Sequence, residues 1–204
     1  HSKEARLASA VLFRRYFENS QVVRNDVGRP ELSRLAGLSA LFREAGERFG
    51  FDWLFLGAQA LQESRLDPAA RNPSGAVGLM QVLPSTALEM GYRNVEAPRE
   101  NVLAGAAYLG HLRDTHFSEA GLEPADRLFF SLAAYNAGPR KVHELRTRAR
   151  RAGLDPNRWF GHVAVVAQHV IGDETVTYVA NVNRYYLAYR LGPLAFLEPP
   201  ASAP

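Results

Sequence analysis

The segment Leu61-Gln62-Glu63-Ser64-Arg65-Leu66-Asp67-Pro68 closes an apolar run with one acid. Gly75-Ala76-Val77-Gly78-Leu79-Met80-Gln81 comes soon enough after it to fold back over it. A glutamate near a helix end is usually a solvated surface residue. Here the preceding run, Phe51 to Leu61, is apolar on several sides and predicts a buried helix. A carboxyl group held at the end of such a helix has its charged form disfavoured by desolvation, which suits it to general acid chemistry. Glu63 is therefore the candidate catalytic acid. Asp67 is the nearest second acid, and its place before Pro68 reads as a turn residue. Asp52, Asp114 and Asp126 read as caps or surface groups.

Other chemistries find little support. His111, His116, His143, His162 and His169 show no metal-ligand spacing, and neither a Gly-x-Ser-x-Gly elbow nor a phosphate loop is present. The absence of cysteine excludes disulfides and thiolate metal sites. No cofactor and no metal are expected. The formal charge is +3, and the basic residues other than Lys3 and Lys141 are all arginine. The densest basic run, Arg140 to Arg151, reads as a solvated helix face with cations towards its C-terminus rather than a nucleic-acid site, because aromatics are not interleaved with it. A mildly basic surface also favours an anionic polymer.

The elements that must position Glu63 are helical. Residues 4–18 carry Leu7, Val11, Phe13 and Phe17 at near-helical spacing, and Asn19 to Pro30 reads as a linker. From Glu31, the stripe Leu32, Leu35, Leu38, Leu41, Phe42, Ala45 and Phe49 predicts a helix stopped near Gly50. Asp52 is the N-cap of the next, which ends near Glu63. Leu66 to about Val77 is expected to be irregular. Pro84 opens a short helix, and Asn101 is expected to cap another. Pro124 to Asn136, Pro139 to Ala152 and Glu174 to Arg190 come next, with Asp155-Pro156 starting a short helical turn. No alternating run demands a sheet, no internal repeat is visible, and no apolar run reaches the length of about 20 residues that spans a bilayer. With 204 residues, 47% hydrophobic and 22% charged, one core with extensions is the default. The chain starts His1-Ser2 without methionine, which suggests a processed or cloned fragment.

Four short motifs lie in order along this framework: Glu63-Ser64, Gly78-Leu79-Met80-Gln81, Ala134-Tyr135-Asn136 and Glu174-Thr175-Val176-Thr177-Tyr178-Val179. Together they resemble the motifs of soluble-lytic-transglycosylase-type (SLT) domains. That resemblance implies a mainly α, lysozyme-like (goose-type lysozyme) helical domain with a deep substrate groove, over residues 31–192. Residues 1–30 would be an N-terminal helix and linker, the tether from an upstream domain, and residues 193–204 a Pro-rich tail. The segments Leu12 to Phe17, Phe51-Asp52-Trp53 and Gly161 to Tyr189 look most like membrane-bound lytic transglycosylase F-like proteins.

The resemblance also implies roles. Glu63 matches the acid/base residue and Tyr135 the tyrosine whose hydroxyl points at that carboxyl. Ser64 either orients the carboxyl group or makes a simple helix-end hydrogen bond. Met80 and Gln81 would line the glycan groove, although Met80 taken alone reads as a core side chain. Asn136 would hold a turn, and Glu174 and Tyr178 would sit in or near the cleft. Where many members have a serine, nine residues after the glutamate, this chain has Asn72, with Ser74 nearby. The implied activity is cleavage of peptidoglycan glycan strands between N-acetylmuramic acid and N-acetylglucosamine without water, leaving 1,6-anhydro ends. A goose-type-lysozyme-like hydrolase and a non-catalytic glycan-binding domain are the alternatives. The implied location is the periplasm or cell envelope, with outer-membrane attachment through an upstream region. A monomer is expected.

Overall fold

The computed structural model describes residues 28–192, so the expected helix at 4–18, most of the expected tether and the Pro-rich tail lie outside the described residues. Among the described residues there are eight α-helices: α1 (Arg29–Phe49), α2 (Trp53–Ser64), α3 (Pro84–Glu89), α4 (Pro98–His111), α5 (Pro124–Ala137), α6 (Pro139–Arg151), α7 (Ala164–Ile171) and α8 (Glu174–Leu191). A π-helical turn, Leu112–His116, extends α4, and a kinked turn, Trp159–Val163, precedes α7. The architecture is mainly α, as the sequence predicts. Extended pairing among the described residues is limited to isolated bridges from Val77 to Arg71 and to Val82. None of the described helices is long and apolar enough to cross a membrane.

Residues 28–107 and 182–192 gather into one unit and 108–181 into another. In the first, α1 presents Leu35, Phe42 and Ala45 as its fully buried stripe and ends on a left-handed Gly50. Helix α2 is buried on every side from Trp53 to Leu61. Asp52 caps it as predicted: its Oδ1 accepts the Leu54 N–H at 2.9 Å, while its Oδ2 accepts the Tyr186 hydroxyl at 2.8 Å. The two helices approach closely because position 57 lacks a side chain; a Cβ there would lie 2.5 Å from Leu35 Cδ1. Each buried Leu or Phe in this interface contributes about 1.5–3 kcal/mol.

Helix α4 departs from the expectation. It begins at Pro98, three residues before Asn101, and Asn101 lies inside it with its amide N–H bonded to Ala97 O at 2.9 Å. Pro98 at the first turn, with Glu100 behind it, is the local signal that sets this start.

In the second unit, Phe117 stacks on Phe130 at 5.7 Å and Phe130 meets Trp159 edge-on at 5.8 Å, all three fully buried. Asp155-Pro156 forms a turn rather than the expected start of a helix, with Asp155 Oδ1 accepting the Asn157 N–H at 2.9 Å. The solvated-face reading of α6 holds for its outer arginines and fails at Arg146. That residue is only 8% exposed; it donates to Pro156 O at 2.9 Å and Asn157 Oδ1 at 2.8 Å, pairs with Glu119, and lies 5.0 Å over the Phe130 ring. Its position on the same helix face as Val142, Leu145 and Ala149 is what buries it.

His143 lies over Phe117, ring centroids 5.3 Å apart. Burial pushes its pKa below the ordinary 6.5, helped by the charges of Arg146 and His116 and opposed by Glu119. The folded state therefore binds this proton less readily than the unfolded chain, and stability is lost as pH falls through the ordinary histidine range towards the lower folded pKa. Between about pH 7.5 and about pH 5.5, the urea midpoint is expected to fall less steeply in His143→Phe than in the parent chain. Equal slopes in the two chains would remove this residue from the acid response.

Candidate active site

Glu63 sits in the last turn of α2, half-buried, with Leu61 fully buried before it and Ser64 behind it. Beyond Ser64 the chain reverses through a left-handed pair. Arg65 and Leu66 have φ of 57° and 61°, and their amides bond back to Leu61 O at 3.1 Å and Ala60 O at 3.4 Å. Left-handed non-glycine residues each cost about 1–2 kcal/mol and persist where the surroundings impose them. Here burial of Leu66, at 1% exposure, anchors the reversal, and the Arg34 guanidinium donates to Arg65 O at 3.0 Å.

The Gly-rich segment is pinned against this helix end. Ser64 Oγ, with one proton to donate, lies between Leu79 O at 2.9 Å and Ala60 O at 3.1 Å, and accepts the Asp67 N–H at 3.2 Å. It thus makes the helix-end bond and joins the Glu63-Ser64 and Gly78-to-Gln81 motifs. Gln81, at φ 46°, turns its amide inward to donate to Gly78 O at 2.9 Å and Ala70 O at 3.3 Å. Met80 is fully buried, against Gly105. Asn72 and Ser74 are exposed in one tight turn, where Asn72 Oδ1 accepts the Ser74 N–H at 3.0 Å. Asp67 is exposed and its Oδ1 accepts the Ala69 N–H at 2.9 Å, the bond of a turn residue.

Asn101 is the residue that sequence reasoning misplaced. Only 1% exposed, it accepts the Met80 N–H at 2.8 Å and donates to Val77 O and Val95 O, both at 2.9 Å. Every hydrogen-bonding group it offers to the loop is satisfied, which is how a buried amide is tolerated. Gly78, at φ 76°, lets the loop lie against it; a Cβ there would fall 2.4 Å from Asn101 Nδ2. The signal was available: asparagine is a poor helix former, and its presence three residues into a helix flanked by Val102, Leu103 and Ala104 marks a side chain with another task.

The other two motifs are joined within the second unit. Thr175 Oγ1 donates to Asn136 Oδ1 at 2.7 Å, bonding the last turn of α5 to the first turn of α8. Tyr135 is half-buried and its ring lies 5.3 Å from Tyr108. Glu174 is exposed at the first position of α8, and Tyr178 is buried one turn further on. Among the described residues, no cluster of three His, Asp or Glu side chains is placed to hold a metal ion.

The family model of the transglycosylase SLT domain matches residues 40–156, a stretch that holds the first three motifs. The chain is similar to membrane-bound lytic murein transglycosylase F of Desulfosudis oleivorans, 35% identical over 167 residues, covering 76% of this chain and 36% of that protein. The same-named protein of Hahella chejuensis is 34% identical over 166 residues, covering 75% of this chain and 32% of the other. The chain thus spans about a third of the length of these curated relatives. Among solved structures it is similar to an inactive mutant of lytic transglycosylase Slt from Pseudomonas aeruginosa, with a TM-score of 0.59 and 25% identity over 91% of this chain and 29% of that one. The 70 kDa soluble lytic transglycosylase of Escherichia coli matches with the same values. With these likenesses to proteins of one kind, and a family match over more than half its length, the chain belongs to the transglycosylase SLT domain family.

Proposed function

We propose that residues 31–192 act as a peptidoglycan lytic transglycosylase in the cell envelope, with Glu63 as both acid and base. The observation that carries this is one half-buried glutamate in the last turn of a helix that is buried from Trp53 to Leu61, next to Ser64, whose hydroxyl reaches the Gly-rich loop that Gln81 and Asn101 also pin. Such a carboxyl group can give up a proton and take one back without leaving its place.

In this mechanism Glu63 protonates the oxygen bridging N-acetylmuramic acid and N-acetylglucosamine. The muramyl N-acetyl group stabilises the developing cation from within the substrate. The carboxylate then removes the proton from the same sugar's C6 hydroxyl, whose oxygen closes onto C1. One C–O bond breaks, one forms, and the proton borrowed from Glu63 is replaced. Glycosidases that use water ordinarily need two carboxyl groups. The second is dispensable here, which accords with the engagement of Asp67 in its own turn. Tyr135 and Glu174 are proposed to support the same reaction.

The products test this. Digestion of purified sacculi is expected to release muropeptides ending in 1,6-anhydromuramic acid. Fragments carrying only reducing ends would assign a hydrolase instead, and binding to sacculi without any soluble fragment would assign a glycan-binding domain.

A further inference from the structure

Helix α6 buries Val142, Leu145 and Ala149, and this face fixes where its charges go. Residues 140, 143, 144, 147, 148 and 151 fall at helical spacing on the side away from that core. With His116 of the π-helical turn they line a groove of about 730 Å³. Its only acid, Glu144, is already engaged by Arg140 at 3.5 Å and Lys141 at 3.3 Å. Arg148 and Arg151 are exposed and have no acidic partner among the described residues. His116 and His143, 5.8 Å apart, face one another across the wall, with His143 resting on Phe117 at 5.3 Å. A solvated helix face commonly alternates its charges and pairs them at i, i+4. This one concentrates unpaired cations on a concave surface, where guanidinium groups hold carboxylates by two hydrogen bonds each.

We propose that this groove is a second binding site, distinct from the Glu63 region in residues and chemistry, and that its ligand is an extended acidic peptide. Spacing selects a peptide over a single small anion. Arg140 and Arg148 lie eight residues apart on the helix, about 12 Å along its axis. An extended peptide covers that distance in about four residues, so carboxylates four positions apart meet both ends of the groove. If the proposed function is correct, the natural source is the peptide carried by the glycan, a clause that rests on that function while the binding itself does not.

The test is fluorescence anisotropy with the whole chain and a labelled peptide, Glu-Ala-Ser-Ala-Glu, with Gln-Ala-Ser-Ala-Gln as its uncharged counterpart. The acidic peptide is expected to bind at least about tenfold more tightly, and more weakly as salt is raised. Arg148→Gln with Arg151→Gln is expected to weaken it about tenfold, whereas Arg93→Gln with Arg150→Gln, which removes the same charge outside the groove, changes it by less than about twofold. Glu63→Gln should bind the peptide as the parent does, so a loss of cleavage and a loss of this site are separable. The proposal is overturned if both double variants weaken binding alike, if neither does, or if inorganic phosphate or an RNA oligomer of equal charge displaces the peptide at lower concentration than unlabelled peptide does.

Discussion

Glu63→Gln is expected to lower the rate of murein cleavage by about a thousandfold or more while leaving the helical circular dichroism and the unfolding midpoint close to those of the parent. The amide is nearly isosteric with the carboxyl group but has no proton to give to a glycosidic oxygen and cannot take one from a C6 hydroxyl. General acid–base contributions run to about 10²–10⁴-fold, and in the proposed mechanism one group supplies both halves of the transfer. The stability expectation comes from position: Glu63 is only half-buried, and substitutions outside the fully packed core usually fall within about 0.5 kcal/mol. Soluble fragments released at the parental rate by the variant would remove Glu63 from the reaction.

Asn101→Ala is expected to be the most destabilising single truncation around the site, by about 3 kcal/mol. The variant strands the Met80 N–H and the Val95 carbonyl in a place water does not readily reach, and leaves the Val77 carbonyl with the Val82 N–H alone. For a chain of this size, that corresponds to a midpoint lowered by roughly 6–12 °C. Cleavage should also fall at temperatures where the variant is still folded, because the loop loses its anchor one residue before Gln81. Displacements of about 1 Å in a positioning element commonly cost on the order of a hundredfold. Asn101→Asp is not expected to rescue: it keeps an acceptor for Met80 but loses both donors and buries a charge. A midpoint unchanged in Asn101→Ala, measured by differential scanning calorimetry, would mean that the loop is held by Ser64 and Gln81 alone.

The sequence was most legible where local chemistry decides the outcome. Asp52 before an apolar run, Pro124 and Pro139 at first turns, and Gly50 and Gly138 at helix ends are decided within a few residues, and these boundaries fall within about two residues of the expected places. The burial of α2 was readable for the same reason: a helix apolar on several sides has no face to give to water.

The features that escaped depend on residues distant in the chain. Nothing near Arg65 and Leu66 announces a left-handed pair, which exists because Leu66 must be buried and the chain must return towards Leu79. Asn101 looks like a cap because capping is the commonest local use of asparagine, and its true partners are up to 24 residues away. Arg146 lies in a run of arginines that are mostly solvated, and only the aromatic cluster on the neighbouring helix and the turn at Pro156 distinguish it. The motif residues show the same division. Glu63, Gly78 and Asn136 could be picked out by pattern. That Ser64 bonds Leu79, and that Thr175 bonds Asn136, required coordinates.

If a single carboxyl group cleaves the glycan by closing the sugar on itself, water is the reagent that discriminates. Sacculi digested by the parent chain in water labelled with heavy oxygen should yield anhydromuramyl ends, each one water lighter than a reducing end, with no label incorporated at the cleaved position. Reducing ends bearing the heavy oxygen would mean that water, and not the C6 hydroxyl, attacks C1.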